Sequence, residues 1–379
     1  MKQTSRIIST YSADTFGVCS ALFELGGMTV MHDASGCNST YTTHDEPRWY
    51  DMDSMVYISG LSEMEAILGD DEKLISDICA AAEDLGPKFI AIAGTPIPAM
   101  TGFDYDAVAA LIEDRTDIPA LGFPTTGMET YVRGAAMALA ALARRFVDEG
   151  EKTKEKSVNI LGLTPLDFSV NGTDAAISTW LEGRGYRVLS RWAMGSSLEE
   201  IARAAGAHVN LVVSATGLDA AKVLQERFGT PYVVGVPFGK DWSEALGQAL
   251  ELTEDCGLGM QPHSEARDGG IIVIGEGITS VSLASAMEMA TGRGVRVLCV
   301  TECPREVLRH QDRLCSAEEE IEAALRDAKT VIADPLFAPI VPEGVRFIPL
   351  PGENCSGRIY RNRIPNLVTG FDDWLKEVL

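Results

Sequence analysis

Residues 209–236, VNLVVSATGLDAAKVLQERFGTPYVVGV, set a short β-branched run (Leu211–Ala215), a helical period (Ala220–Phe228) and a second β-branched run (Tyr232–Val236) end to end. Runs that are continuous rather than alternating belong to parallel strands covered on both faces. A helix between two of them is the crossover that parallel pairing requires. Upstream the alternation continues, with strands at Val158–Leu163 and Tyr186–Arg191 and helices at Asp174–Arg184 and Leu198–Ala205. A charged stretch, DEGEKTKEK (148–156), precedes this unit, and CGLGMQPHSEARDGG (256–270) follows its last helix at 241–252.

On the far side of each boundary the pattern recurs. Downstream, strands are expected at Ile271–Ile274, Val295–Val300, Val331–Ala333 and Phe347–Leu350, with helices at 279–290, 317–327 and from Phe371. Upstream, Tyr11–Gly27 reads as a helix ended by Gly26-Gly27. Ser62–Leu85 reads as one helix with Ser62 as N-cap and Glu65 three residues on. Phe89–Ala93 reads as a buried strand, GTPIPAMTGFD as a loop leading to a helix from about Tyr105, and Met128–Val147 as a long helix after Ile118–Phe123. The fold class is therefore α/β: three doubly wound, Rossmann-like units with parallel sheets, over 1–150, 151–262 and 263–379.

The chain of 379 residues has 46% hydrophobic and 23% charged residues, an ordinary globular balance, and a formal charge of -23. That charge, with no clustered Lys/Arg, argues against nucleic acid and against an anionic membrane surface. No apolar run approaches the roughly 18 residues needed to span a bilayer, and no secretory signal pattern is present. Eight scattered cysteines without a CxxC pair fit reduced thiols in a cytoplasmic protein better than a disulfide framework.

Between the first helix and the second lies MHDASGCNSTYTTHDEPRWYDMDSM (31–55), which has neither helical nor strand period and gathers Cys37, His32, His44, Arg48 and Tyr50. A loop this rich in ligating groups, set between regular elements, is where binding chemistry tends to sit. Cys37 follows Gly36, on backbone that can approach another body closely. One thiolate cannot hold an iron–sulfur cluster, which takes four ligands. Two copies across a two-fold axis supply two, and a second residue from each, Cys19 first or else Asp33 or His32, would complete the set. Cys19 also lies on the apolar face of its helix, where packing alone would account for it.

Two further motifs stand in the third unit. Gly275-x-Gly277-x-x-Ser280 follows a strand and opens a helix, with Glu302 after the next strand, an incomplete dinucleotide fingerprint beside the plainer reading of a strand-to-helix turn. Cys299-x-x-x-Cys303 spans a strand end, where the two thiols are expected to face different sides. Cys355, in the loop PGENCSG, is the cysteine best placed to line a cleft.

HDASGC (32–37), with Gly17 on the helix leading to it, DSMVYISGLSEMEAILGDDEKL (53–74) and IAGTPIPAMTGFDYDAV (92–108) resemble the cluster loop and following motifs of the nitrogenase component 1 family. VNILGL, EGRGYRV and VNLVVSATGLDAAKVLQERFGTPYV resemble that family's second domain. The resemblance implies a homodimer, or a pair with a paralogous subunit, served by an ATP-dependent iron–sulfur reductase. It implies a [4Fe–4S] cluster shared between subunits and an organic, tetrapyrrole-like substrate or a metallocofactor in the cleft between units. Of the family's cluster cysteines only Cys37 is in place; the other positions fall near Ser12–Ala13 and at Thr95 or Pro96. Ser214 stands where the family anchors a large cofactor by cysteine, and the Cys355 loop where it uses histidine. What remains resembles the simpler reductases, with His44, Arg48 and Tyr50 as substrate-facing or proton-donating groups. A non-catalytic scaffold that holds a metallocofactor or its precursor is the alternative.

Overall fold

The computed structural model describes residues 6–7, 12–34, 45–257 and 269–378. Three parallel sheets follow one another along the chain. The first holds β1 (Met28–Met31), β2 (Met55–Ile58), β3 (Ile90–Ala93) and β4 (Ala120–Phe123) in the order β2-β1-β3-β4. The second holds β5 (Ser157–Leu161), β6 (Arg187–Arg191), β7 (Val209–Val212) and β8 (Tyr232–Val234) in the order β6-β5-β7-β8. The third holds β9 (Ile271–Gly275), β10 (Val295–Cys299), β11 (Arg313–Leu314), β12 (Thr330–Ala333) and β13 (Arg346–Pro349) in the order β11-β10-β9-β12-β13.

The central strands β3, β5 and β7 are buried along their whole length, as strands covered on both faces must be. One core cluster runs from Val18 and Leu139 through Val158 and Leu211 to Ile278 and Phe371, so the three units share an interior. The helix Tyr131–Arg145 is the pivot of that interior, packing on the helix Asp14–Leu22 of its own unit and on Leu218–Phe228 of the second. The terminal helix Leu367–Val378 returns from the third unit to pack on Thr173–Glu182 of the second.

Several local expectations change. The central strand β1 and its neighbour β2 are too short to show a period, and the helix before them stops at Leu22 rather than Gly27. Ser62 and Glu65 do form the reciprocal capping box, but the helix they open ends at Leu68, where Gly69 turns left-handed (φ 65°), and a second runs Glu72–Leu85. The GTPIPAMTG loop contains a helical turn, Pro96–Thr101, with proline in its first turn where the missing N–H costs nothing.

Candidate functional site

In a doubly wound sheet the binding crevice opens at the carboxyl ends of the strands where the strand order reverses. That point lies between β5 and β7 in the second sheet and between β9 and β12 in the third. The loops leaving these strands carry Asp167, Ser214, Glu276 and Asp334, and the loop after β13 carries Asn354 and Cys355. A cavity of about 130 Å³ lies among them, lined by Asp167, Glu276, Thr279, Asp334, Asn354 and Cys355, with Phe168, Phe238 and Leu283 on its apolar side.

The first unit is tied to the lining of this cavity by Tyr131. Tyr131, the first residue of its helix, is buried and donates its hydroxyl to Asp167. Asn354 Nδ2 donates to the same hydroxyl at 2.9 Å. One hydrogen-bonded chain thus ties all three units: Tyr131 from the first, Asp167 from the second and Asn354 from the third. Thr164 Oγ1 donates to the second oxygen of Asp167 at 2.7 Å. Glu276 caps the helix Gly277–Thr291, accepting from Ile278 N at 3.1 Å, Thr279 N at 2.9 Å and Ala215 N at 2.9 Å across the unit boundary.

Burial first, and the neighbouring Glu276 next, push the Asp167 carboxyl from 3.8 up to about 7. Burial also raises Glu276 against the backbone amides that oppose the shift, and raises Asp334. The Cys355 thiol is pushed far up by burial and by Asp334 and Asp167, and the Tyr131 phenol by burial and Asp167. Burial thus favours the protonated form of each of these groups. Such a lining donates hydrogen bonds and can deliver a proton; it makes a poor metal site, because thiol and carboxyl ligands bind metals deprotonated.

The residues singled out from the sequence fall in different places. Cys355 lines the cavity. Ser214 lies just behind it, fully buried, donating to Gly162 O at 2.7 Å and sharing a 2.6 Å hydrogen bond with Thr216. Arg48 does not face the cavity: it is buried in an ion network with Glu46 and Glu24. Tyr50 is 70% exposed on the outer surface. Cys19 is fully enclosed with Phe23, Met31 and Val56, and burial together with Glu46 keeps it a thiol. Cys37 and His44 lie outside the described residues. Among the described residues no group of three or more His, Cys, Asp or Glu is placed to hold a metal ion. The described residues do not by themselves fit an iron–sulfur cluster.

The dinucleotide reading of the Gly275 turn is overturned. The helix amides that would hold a pyrophosphate are occupied by the chain's own Glu276 side chain. Glu302 reaches instead across to the first unit, accepting from Thr130 N at 3.1 Å. Tyr131, Asp167, Glu276 and Asn354 escaped the sequence reading. The local trace of the second was Thr164-x-x-Asp167 directly after a strand, which is a helix-cap spacing.

Comparison with known proteins agrees with the fold. Two solved structures of nitrogenase Cp1, at pH 5 and at pH 6.5, superpose with TM-scores of 0.67 and 0.70 at 15% and 14% identity, covering all of this chain and 90% and 93% of theirs. Nitrogenase iron-molybdenum cofactor biosynthesis protein NifE of Rippkaea orientalis is 25% identical over 285 residues, 72% of this chain and 57% of that protein. The NifE of Clostridium pasteurianum is 28% identical over 179 residues, 47% of this chain and 38% of its own length. The chain thus spans little more than half of the first of these relatives and less of the second. No described helix is long and apolar enough to cross a membrane. The family model for nitrogenase component 1 type oxidoreductases matches residues 15–307, more than half of the chain, and the chain belongs to that family.

Proposed function

We propose that this chain is the substrate-bearing subunit of a two-component reductase. It receives electrons from a separate ATP-dependent iron–sulfur protein and reduces an unsaturated organic, tetrapyrrole-like molecule held at the junction of the three units. The observation that carries this reading is the buried Asp167 at the strand-order reversal of the second sheet, its carboxyl pushed up to about 7 and accepting from the Tyr131 hydroxyl, to which Asn354 donates in turn. Adding electrons to a C=C or C=N bond requires protons at the same place, and a carboxyl poised near neutrality is the efficient donor. The room available decides what enters. An apolar cavity of ~150 Å³ takes one benzene, so a cavity of about 130 Å³ admits one ring or edge of a tetrapyrrole and not the whole macrocycle.

Asp167→Asn tests this. With the reductase partner, ATP and substrate under anaerobic conditions, the variant is expected to lose about 10²–10⁴-fold in turnover. The wild-type rate is expected to fall as pH rises through about 7, where the carboxyl gives up its proton. Stability follows the same sign. The folded protein binds the extra proton between 3.8 and about 7, so stability is highest below that window and declines across it as the pH rises. The asparagine variant should lose that slope in urea titrations. Unchanged turnover in the variant, with an unchanged pH profile, would dispose of the donor role.

The NifE relatives, named for cofactor biosynthesis, favour a second reading, a scaffold that holds a metallocofactor or its precursor and releases it. A cavity lining whose burial favours the protonated forms weighs against it. The two separate on whether the partner and ATP yield a chemically reduced product or intact cargo. We assign Cys37, from two copies of the chain, to the contact with a shared [4Fe–4S] cluster. Iron and sulfide analysis of anaerobically purified protein should fall to background in Cys37→Ser. Equal iron in variant and wild type would remove that assignment while leaving the role of Asp167 intact.

A further inference from the structure

Expected to point apart, Cys299 and Cys303 instead meet. Cys299 ends β10 and is buried, and Cys303 sits four residues on, partly exposed, on the strap that leaves the strand. Both sulfurs lie over Gly277, the first residue of the helix Gly277–Thr291. A methyl group added there would overlap the Cys303 sulfur and fall 3.5 Å from that of Cys299. The absence of a side chain at Gly277 is what lets both sulfurs share this space. Each thiol donates to a nearby carbonyl, Cys299 to Thr301 O at 3.4 Å and Cys303 to Pro304 O at 3.6 Å.

We propose that Cys299 and Cys303 form a reversible dithiol–disulfide couple, built into the tie between the first and third units. The strap between them carries Glu302, whose carboxylate holds the backbone and hydroxyl of Thr130, the residue that caps the helix beginning at Tyr131. The oxidant is a low-molecular-weight disulfide. Cys303, the more exposed of the two, gives up its proton as its sulfur attacks one sulfur of that disulfide; the S–S bond breaks, and one small thiol leaves carrying the proton. Cys299 then attacks the Cys303 sulfur and expels the second. The protein loses two electrons and two protons, and the small disulfide gains both. Disulfides inside cells are mostly transient and regulatory, and two sulfurs held over the same glycine by the fold favour closure over a lasting mixed adduct.

The test equilibrates the whole folded protein in mixtures of reduced and oxidised glutathione, blocks remaining thiols with an alkylating label, and examines the tryptic peptide Val297–Arg305, which holds these two cysteines and no other. The expected result is an unlabelled peptide lighter by two hydrogens, which recovers two labels after dithiothreitol. It should form at a glutathione ratio that leaves the urea-unfolded chain reduced. In Cys303→Ser the peptide should keep one label on Cys299 throughout. Two labels on the wild-type peptide, a lasting glutathione adduct on Cys303, or a link to Cys315, whose N–H donates to Cys299 O at 2.8 Å, would overturn the proposal. So would equal closure in the unfolded chain, because the fold would then contribute nothing.

Discussion

Arg48→Ala is expected to cost about 3–5 kcal/mol of folding stability, the range found when one partner is removed from a buried ion pair. Nε of Arg48 donates to Glu46 at 2.6 Å, and one terminal nitrogen donates to Glu24 at 2.9 Å and to Ala193 O at 2.8 Å. The other terminal nitrogen donates to Ser20 O at 2.8 Å, and the guanidinium lies 4.8 Å from the centre of the Phe23 ring. The two carboxylates are 0% and 9% exposed, so truncation removes the guanidinium that each of them faces in a buried setting. Burial works to lower the pKa of Arg48, and Glu46 and then Glu24 raise it by more, so the cation persists. Lysine cannot replace it, because a single ammonium cannot span donors aimed in three directions. Urea midpoints for Arg48→Ala, Arg48→Lys and Arg48→Met combined with Glu24→Gln and Glu46→Gln measure this. The combined variant should recover much of the loss, since no charge is then stranded. A loss below about 1 kcal/mol for Arg48→Ala would place the residue among ordinary surface pairs. Turnover per folded molecule separates this role from a substrate-facing one, and we expect it to hold in Arg48→Lys.

Gly134→Ala is expected to destabilise by about 3 kcal/mol, the upper part of the usual overpacking range. Gly134 lies in the helix Tyr131–Arg145, and a methyl group there would overlap the carbonyl oxygen of Asp14 and fall 2.6 Å from its carbon. Gly17, on the opposing helix Asp14–Leu22, is fitted in the same way: a methyl group would overlap Tyr131 O and lie 2.8 Å from Ala135 N. The two helices thus touch backbone to backbone, and no side-chain rotation can relieve an added atom. The sign is informative, because in a helix open to solvent alanine is favoured over glycine by about 1 kcal/mol. Gly370→Ala, in the helix Leu367–Val378 with nothing within 4 Å of the added carbon, should show that gain. Opposite shifts of the two urea midpoints would establish the packing origin, and a gain in both would refute it. Because Tyr131 opens the displaced helix, the Gly134 variant should also weaken the hydrogen bond to Asp167 and lower turnover.

Local chemistry decided much of this protein. The β-branched runs at 158–163, 209–215 and 271–274, each followed by a helical period, specify parallel strands with crossovers, because strand and helix periods are properties of a few consecutive residues. The Ser62–Glu65 cap was legible for the same reason, as was the kinship of the 32–37 and 92–108 motifs. Tertiary structure alone decided what those elements assemble. β1 is central to its sheet yet only four residues long, so its identity comes from pairing with β2 and β3 and not from its own pattern. Arg48 reads as a loop cation until two carboxylates and two carbonyls close around it. Cys299 and Cys303 read as facing apart until the strap bends over Gly277. Tyr131, Asp167 and Asn354 are separated by 36 and 223 positions from Tyr131 and share no motif. Their meeting follows from where the second and third sheets reverse their strand order and where the helix after β4 begins. A proton held near neutrality is therefore a property of burial and neighbours, which no single segment of the chain contains.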